Sequence, residues 1–249
     1  SGNKKLTIQA DPNNLLEVFG NLSITGNGVL DMTDGNSLTA DGTINIYGNW
    51  DNQAGITAFE YGNSTINFIG STNQTINNSQ STYTTPSFFD VMINNSNGVS
   101  IGSTNFISIE NELTLTNGIF TTGTSKYLTI ENTNPGAITS YGSNNFIYGN
   151  LIRKIAVNTS TYPFPIGDGT SSTNYKALDF LNSSLDISTP YLFSSVTSLT
   201  ESGNNTDSNL STSQDGTDIE EVMEAAIWSL FPLGAVNSGA YGVNLFVRN

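Results

Sequence analysis

A reaction needs a group that can take up a proton, attack a carbon or polarise a bond, and this sequence is poor in all three. It contains no histidine and no cysteine, which removes the commonest general base and the thiol nucleophile. A polysaccharide lyase would need an arginine or lysine base beside a carboxylate-held cation. The cations on offer are Arg153, Arg248, Lys4, Lys5, Lys126, Lys154 and Lys176, with none between Lys5 and Lys126. A glycoside hydrolase needs two carboxylates at a fixed separation. Glu110 and Glu112 share one face of a strand, the face that the surrounding apolar pattern turns to solvent. Asp207, in Asn205-Thr206-Asp207, lies in a polar loop, and no adjacent pair of aspartates occurs. We assign no catalytic residue and expect no enzyme.

Binding chemistry is the next option. Calcium takes hard oxygen ligands, which Asp31 with Asp34, or Asp207 with Asp215 and Asp218, could supply. Neither set has EF-hand spacing, and the Gly-Gly-x-Gly-x-Asp repeat of calcium-binding solenoids is missing. Turn-forming aspartate is the favoured reading, so no metal or cofactor residue is assigned. A flat ice-binding face would need stacked Thr-x-Thr ranks. Thr114 and Thr116 make one such pair, but the positions 22 residues earlier are Met92 and Asn94. Tyr47, Tyr61, Tyr83, Tyr127 and Tyr141 could line a sugar-binding face, although tyrosines in a repeat more often flank or cap its core.

Short recurring strands would have to position any of these residues. Asn21–Gly26 reads NLSITG, Thr43–Gly48 reads TINIYG and Thr65–Gly70 reads TINFIG, each 22 residues after the last. Each copy alternates apolar and polar residues and stops at glycine, the pattern of a strand with one buried face. The period continues more loosely. Val91 follows Ile66 by 25 residues and Leu113 follows Val91 by 22; in a second phase Leu128 follows Ile107 by 21 and Leu151 follows Leu128 by 23. An earlier triplet carries Leu6 and Ile8, and Ser79–Phe88 reads as an insertion. Three short strands and three turns, at about 3.3 Å per strand residue, make one coil. A single coil cannot bury its own apolar face, whereas stacked coils can. We therefore expect a right-handed parallel β-helix over residues 1–152, with Ile44, Ile46, Ile66 and Phe68 in an inward ladder. Asn111 interrupts the apolar series Ile107, Ile109, Leu113 and Leu115, and reads either as a turn residue stacked on an asparagine of the next coil or as an exposed kink.

The 21 acidic residues outnumber the 7 basic ones, giving a net charge of −14. Such a surface repels phosphate backbones and anionic lipid. No apolar run of 18 residues is present to span a bilayer. No signal peptide is visible, and the start, SGNKK, looks like a processed end. An acidic, lysine-poor chain rich in Asn, Thr and Ser suits the cell exterior.

The 22-residue echo is lost beyond about residue 150. Strands are expected near Ala177–Leu181, Tyr191–Val196, Ala225–Leu230 and Tyr241–Val247, with a polar loop over Glu201–Glu221. Over 218–231, Ile219, Val222, Met223, Ala226, Ile227 and Leu230 have helical spacing, and periodicity alone reads as a helix capped by Asp218.

The coils, with Phe89–Gly98 (FDVMINNSNG) and Leu113–Thr122 (LTLTNGIFTT), resemble repetitive cell-surface proteins of Bacteroidetes, which are often exported by the type IX system. Phe146–Arg153 (FIYGNLIR) and Phe164–Gly167 (FPIG) resemble their link from β-helix to a β-sandwich-like domain. Trp228 and Tyr241–Leu245 (YGVNL) resemble that domain's closing strand pair, which implies strand rather than helix near Trp228. No C-terminal sorting domain is visible. The resemblance implies a smaller β-sandwich-like domain over 153–249. The functional expectation is a non-catalytic extracellular structural or adhesive protein, self-associating head to tail by strand pairing into a surface filament. The alternative is a carbohydrate-binding or carbohydrate-degrading β-helix module that takes surface glycans.

Overall fold

The computed structural model describes residues 4–8, 15–33, 42–79, 82–198 and 226–246. The chain is all-β, a parallel β-solenoid of about six turns with about 24 residues per turn, followed by antiparallel sheets. No α-helix occurs among the described residues, and none of their helices is long and apolar enough to cross a membrane.

Each coil has three faces. The first face stacks Leu15–Val18, Thr43–Ile46 and Thr65–Phe68, then parts of Phe88–Asn94 and Phe106–Asn117, then Ile138–Thr139. The second stacks Leu22–Ile24, Trp50–Asn52, Gln74–Asn78 and Val99–Ile101, then the start of Phe120–Ile130 and of Ile147–Lys154, then Ile166–Gly167. The third begins with Lys4–Thr7, Gly28–Asp31 and Phe59–Glu60. It resumes where the long strands turn the corner, pairing Ile107 with Leu128 and Leu128 with Leu151.

The register confirms both phases of the period: Ile44 pairs with Ile66, Ile66 with Val91 and Val91 with Leu113. Ile44, Ile46, Ile66 and Phe68 are fully buried, and Trp50, Ile76 and Phe88 fill the same core. Two amide ladders link successive coils, the first along the outside of the first face. Asn67 donates to Asn45, which donates to Glu17, both at 2.8 Å. Asn132 donates to Asn111 at 3.0 Å, and Asn111 to Asp90 at 2.8 Å. Asn111 is thus stacked on an asparagine of the next coil. The glycine that ends the repeat is set by close approach between coils. A Cβ on Gly48 would lie 2.4 Å from the Gly20 carbonyl carbon, and one on Gly70 would lie 2.6 Å from the Tyr47 oxygen.

Three expectations need correction. NLSITG is not the coil below TINIYG. Leu22–Ile24 pairs with Trp50–Asn52 on the second face, and the partner of Thr43–Ile46 is Leu15–Val18, 28 residues earlier at Glu17 and Asn45. Alternation marks a strand but not its face, so a local likeness placed it one face out of step. Second, Leu6 is 58% exposed, because Lys4–Thr7 is the outermost strand of its sheet among the described residues and nothing described covers it. Third, the strand holding Trp228 and the strand Tyr241–Leu245 do not pair with each other. Ala226–Pro232 pairs with Tyr191–Ser198, and Tyr241–Leu245 with Leu178–Asn182. Between them Val236–Ser238 crosses to Asp186–Ile187 and carries the chain to another sheet.

Residues 226–232 are strand, as the resemblance implies and against the helical spacing; residues 218–225 lie outside the described ones. Ile147–Lys154 belongs to both regimes. Its start passes the parallel stack on to Ile166–Gly167, while its end, paired parallel with Phe120–Ile130 on one edge, accepts Tyr191–Ser198 antiparallel on the other. A three-stranded antiparallel sheet, Ser160–Phe164, Leu178–Asn182 and Tyr241–Leu245, lies beyond it.

Candidate functional site

The residues singled out for chemistry are dispersed, and the described ones mostly have partners. Glu110 accepts from the Tyr61 hydroxyl at 2.8 Å. Glu112 accepts from Thr139 at 2.7 Å and Thr114 at 3.0 Å. Asp31 is buried and accepts from the Thr33 backbone and hydroxyl at 2.8 and 2.6 Å, and the Lys5 ammonium sits 3.0 Å from it. Burial pushes its carboxyl up, but the Thr33 bonds and Lys5 outweigh this and lower it to about 2. A lysine therefore already occupies the cationic place beside Asp31. Asp34, Asp207, Asp215, Asp218 and Arg248 lie outside the described residues. Among the described residues no three metal-ligating side chains converge.

Lys126, Lys154, Lys176 and Arg153 are likewise tied into the fold. Lys126 donates to the carbonyls of Ile101 and Gly102. Lys154 pairs with Glu131 at 3.4 Å and Lys176 with Asp168 at 2.6 Å. Arg153 is fully buried. Its guanidinium donates to the carbonyls of Pro163, Asn134 and Pro135 at 2.8, 3.0 and 3.2 Å, and lies 5.3 Å from the Tyr162 ring centre. Burial lowers it to about 10, so it stays charged at neutral pH. In that place it pins the Ser160–Phe164 strand to the end of the stack and meets no solvent-borne substrate.

The five tyrosines do not form one surface. Tyr47 stacks on Phe19 at the first coils, and Tyr61 packs on Phe59. Tyr83 and Tyr127 meet in a longer row. Tyr83 lies 6.3 Å from Phe106, Phe106 stacks on Tyr127 at 5.4 Å, Tyr127 meets Phe193 at 6.0 Å, and Phe193 meets Phe231 at 4.5 Å. Phe106 and Tyr127 stack on paired strands of the third face, whereas Tyr83 lies in a turn and also meets Tyr191 at 5.5 Å, and Phe193 and Phe231 come from the antiparallel pair Tyr191–Ser198 and Ala226–Pro232. The Thr rank is broken in register as well: Met92 pairs with Thr114, and Thr114 with Thr139.

Two further features stand out. One is the amino-terminal edge. Among the described residues each face begins with a strand paired on one side only: Lys4–Thr7, Leu15–Val18 and Leu22–Ile24. Leu6, Leu15 and Phe19 there are 58%, 53% and 79% exposed. Val18 accepts from the Tyr47 N–H at 3.0 Å. Residues Leu16 and Val18 thus turn their backbone groups inward to the stack, and Leu15 and Glu17 turn theirs outward.

The other is a cavity of about 570 Å³ walled by Tyr141 and Tyr175. Its floor is the outer face of the three-stranded antiparallel sheet. Pro163 and Asp179 are direct cross-strand partners, and Phe246 N–H donates to Ala177 at 3.0 Å just beyond the strand end. Strand alternation therefore puts Pro163, Pro165, Ala177, Asp179 and Phe246 on one side.

No family model, no curated protein and no solved structure matches this chain. Any functional reading has to rest on these features. Tyr141 is one of the five tyrosines that the sequence offers for a sugar-binding face. Asp179 and Tyr175 have no such mark in the sequence, since they reach the cavity only through an antiparallel register that carries no repeat signal.

Proposed function

We propose that the chain is a non-catalytic structural or adhesive element of an extracellular surface, built as a stalk of stacked coils that joins further copies head to tail. The observation that carries this reading is the amino-terminal edge. Among the described residues, three strands there each leave one edge unpaired beside exposed Leu6, Leu15 and Phe19. Open edges of this kind accept another strand, and a contact that repeats without closing gives a fibre. The acidic, lysine-poor composition supports an exterior location and opposes lateral clumping.

Leu15→Pro tests it. Proline at the first residue of this strand removes an outward N–H and leaves the inward ladder to Thr43–Ile46 intact. Light scattering should show concentration-dependent assemblies for the 249-residue chain and monomers for the variant, with the same circular dichroism. An intact chain that stays monomeric at high concentration rules the edge out as a joint between copies.

A second reading, a carbohydrate-binding module, is favoured by the aromatic row from Tyr83 to Phe231. Adjoining rings, with Phe231 exposed among them, suit the apolar faces of sugars. Retention on insoluble polysaccharide should fall in a Tyr127→Ala, Phe231→Ala double variant; equal retention of both proteins removes this reading.

A further inference from the structure

The cavity on the carboxy-terminal sheet is lined by apolar and aromatic groups, with one acidic group among them. Its floor carries Pro163, Pro165, Ala177 and Phe246, and its walls Tyr141 and Tyr175. Asp179 supplies the only charge in the lining. No hydrogen bond or ion pair to its carboxylate occurs among the described residues, and burial alone raises its pKa. The nearby cation Arg153 does not serve it. That guanidinium is committed to three carbonyls and faces Tyr162 and Phe164, the residues on the inner side of the same strand. A half-buried carboxylate without a partner among the described residues is complementary to a cation. The faces of tyrosine rings attract a cation as well. A sugar would need several donors and acceptors around it, and here the polar groups are one carboxylate and two phenols.

We propose that this cavity binds an alkylammonium group, its charge against Asp179 and its methylenes between Tyr141 and the two prolines. The group could belong to a small free amine or to a lysine side chain of a partner protein, and both present the same chemistry. The site is separate from the edge strands at the amino-terminal end, so its failure and the failure of head-to-tail joining are independent.

The test is an NMR titration of the full chain that follows the methyl groups of Ala177, Leu178 and Leu245. The probes are n-butylammonium, an N-acetylated, C-amidated pentapeptide with a central lysine, neutral n-butanol and methyl glucoside. Both amines should shift these methyls saturably. A peptide that binds at least about tenfold tighter than the free amine assigns the site to a protein partner, and equal affinities assign it to small amines. Asp179→Asn, which keeps the side-chain shape, should weaken either amine at least about tenfold. Tyr141→Ala should weaken it less. Unchanged methyl spectra outside the cavity verify that each variant is folded. The proposal is overturned if neither amine binds at millimolar concentration, if n-butanol or methyl glucoside binds as well as the amines, or if Asp179→Asn leaves affinity unaltered.

Discussion

Ile66→Asp should lower the stability of the chain by about 3–5 kcal/mol, the cost of an uncompensated buried charge. Ile66 is fully buried, with Ile44 stacked on one side and Val91 on the other. Nothing among the described neighbours can pair a carboxylate there. For a chain of this size the thermal midpoint should fall by roughly 10 °C. Ile66→Val, which keeps the β-branched shape, should cost only about 0.5–1.5 kcal/mol. Thermal unfolding followed by circular dichroism measures both. A midpoint unmoved by the aspartate would mean that Ile66 does not face the core and that the ladder is out of register.

Arg153→Ala is expected to have an effect of similar size, by a different route. The substitution takes a charge-assisted donor from the carbonyls of Asn134, Pro135 and Pro163, of which Asn134 keeps its bond from the Ala137 N–H. It also leaves a void beside Tyr162 and Phe164. Together these should cost about 3–5 kcal/mol. Lysine should not rescue it, because an ammonium cannot reach three carbonyls from one planar fork and is harder to strip of water. Urea unfolding of the three proteins decides the point. If Arg153→Lys is as stable as the parent, the guanidinium geometry is not what joins the two parts.

The solenoid could be read from the sequence because stacking forces like residues into like places. Ile66, Val91 and Leu113 occupy one column, as do Ile107, Leu128 and Leu151. The spacing tolerates variation because extra residues leave at the corners without disturbing the column. The misplacement of NLSITG shows the limit of that signal. A three-residue alternation looks the same on every face, and the turn lengths that separate the faces vary too much to be decoded. The burial of Arg153 carries no repeat signal either. The sequence offers this residue only as one of seven cations, and strand alternation sends it, rather than the adjacent Lys154, inward. Asp179 gave no signal, since its neighbours in the cavity come from strands far apart in the chain and joined antiparallel.

The amide ladders carry a mechanical consequence. Backbone bonds between coils point along the solenoid axis, and so do the side-chain bonds from Asn67 through Asn45 to Glu17 and from Asn132 through Asn111 to Asp90. Tension applied between the two ends therefore loads every one of these bonds along its length. Each coil boundary bears the full load in series with the others, so the weakest one yields first and pays out about 24 residues of slack. Under pull the solenoid lengthens in steps, coil by coil, while a sideways force meets the strands edge to edge and is shared among many boundaries at once.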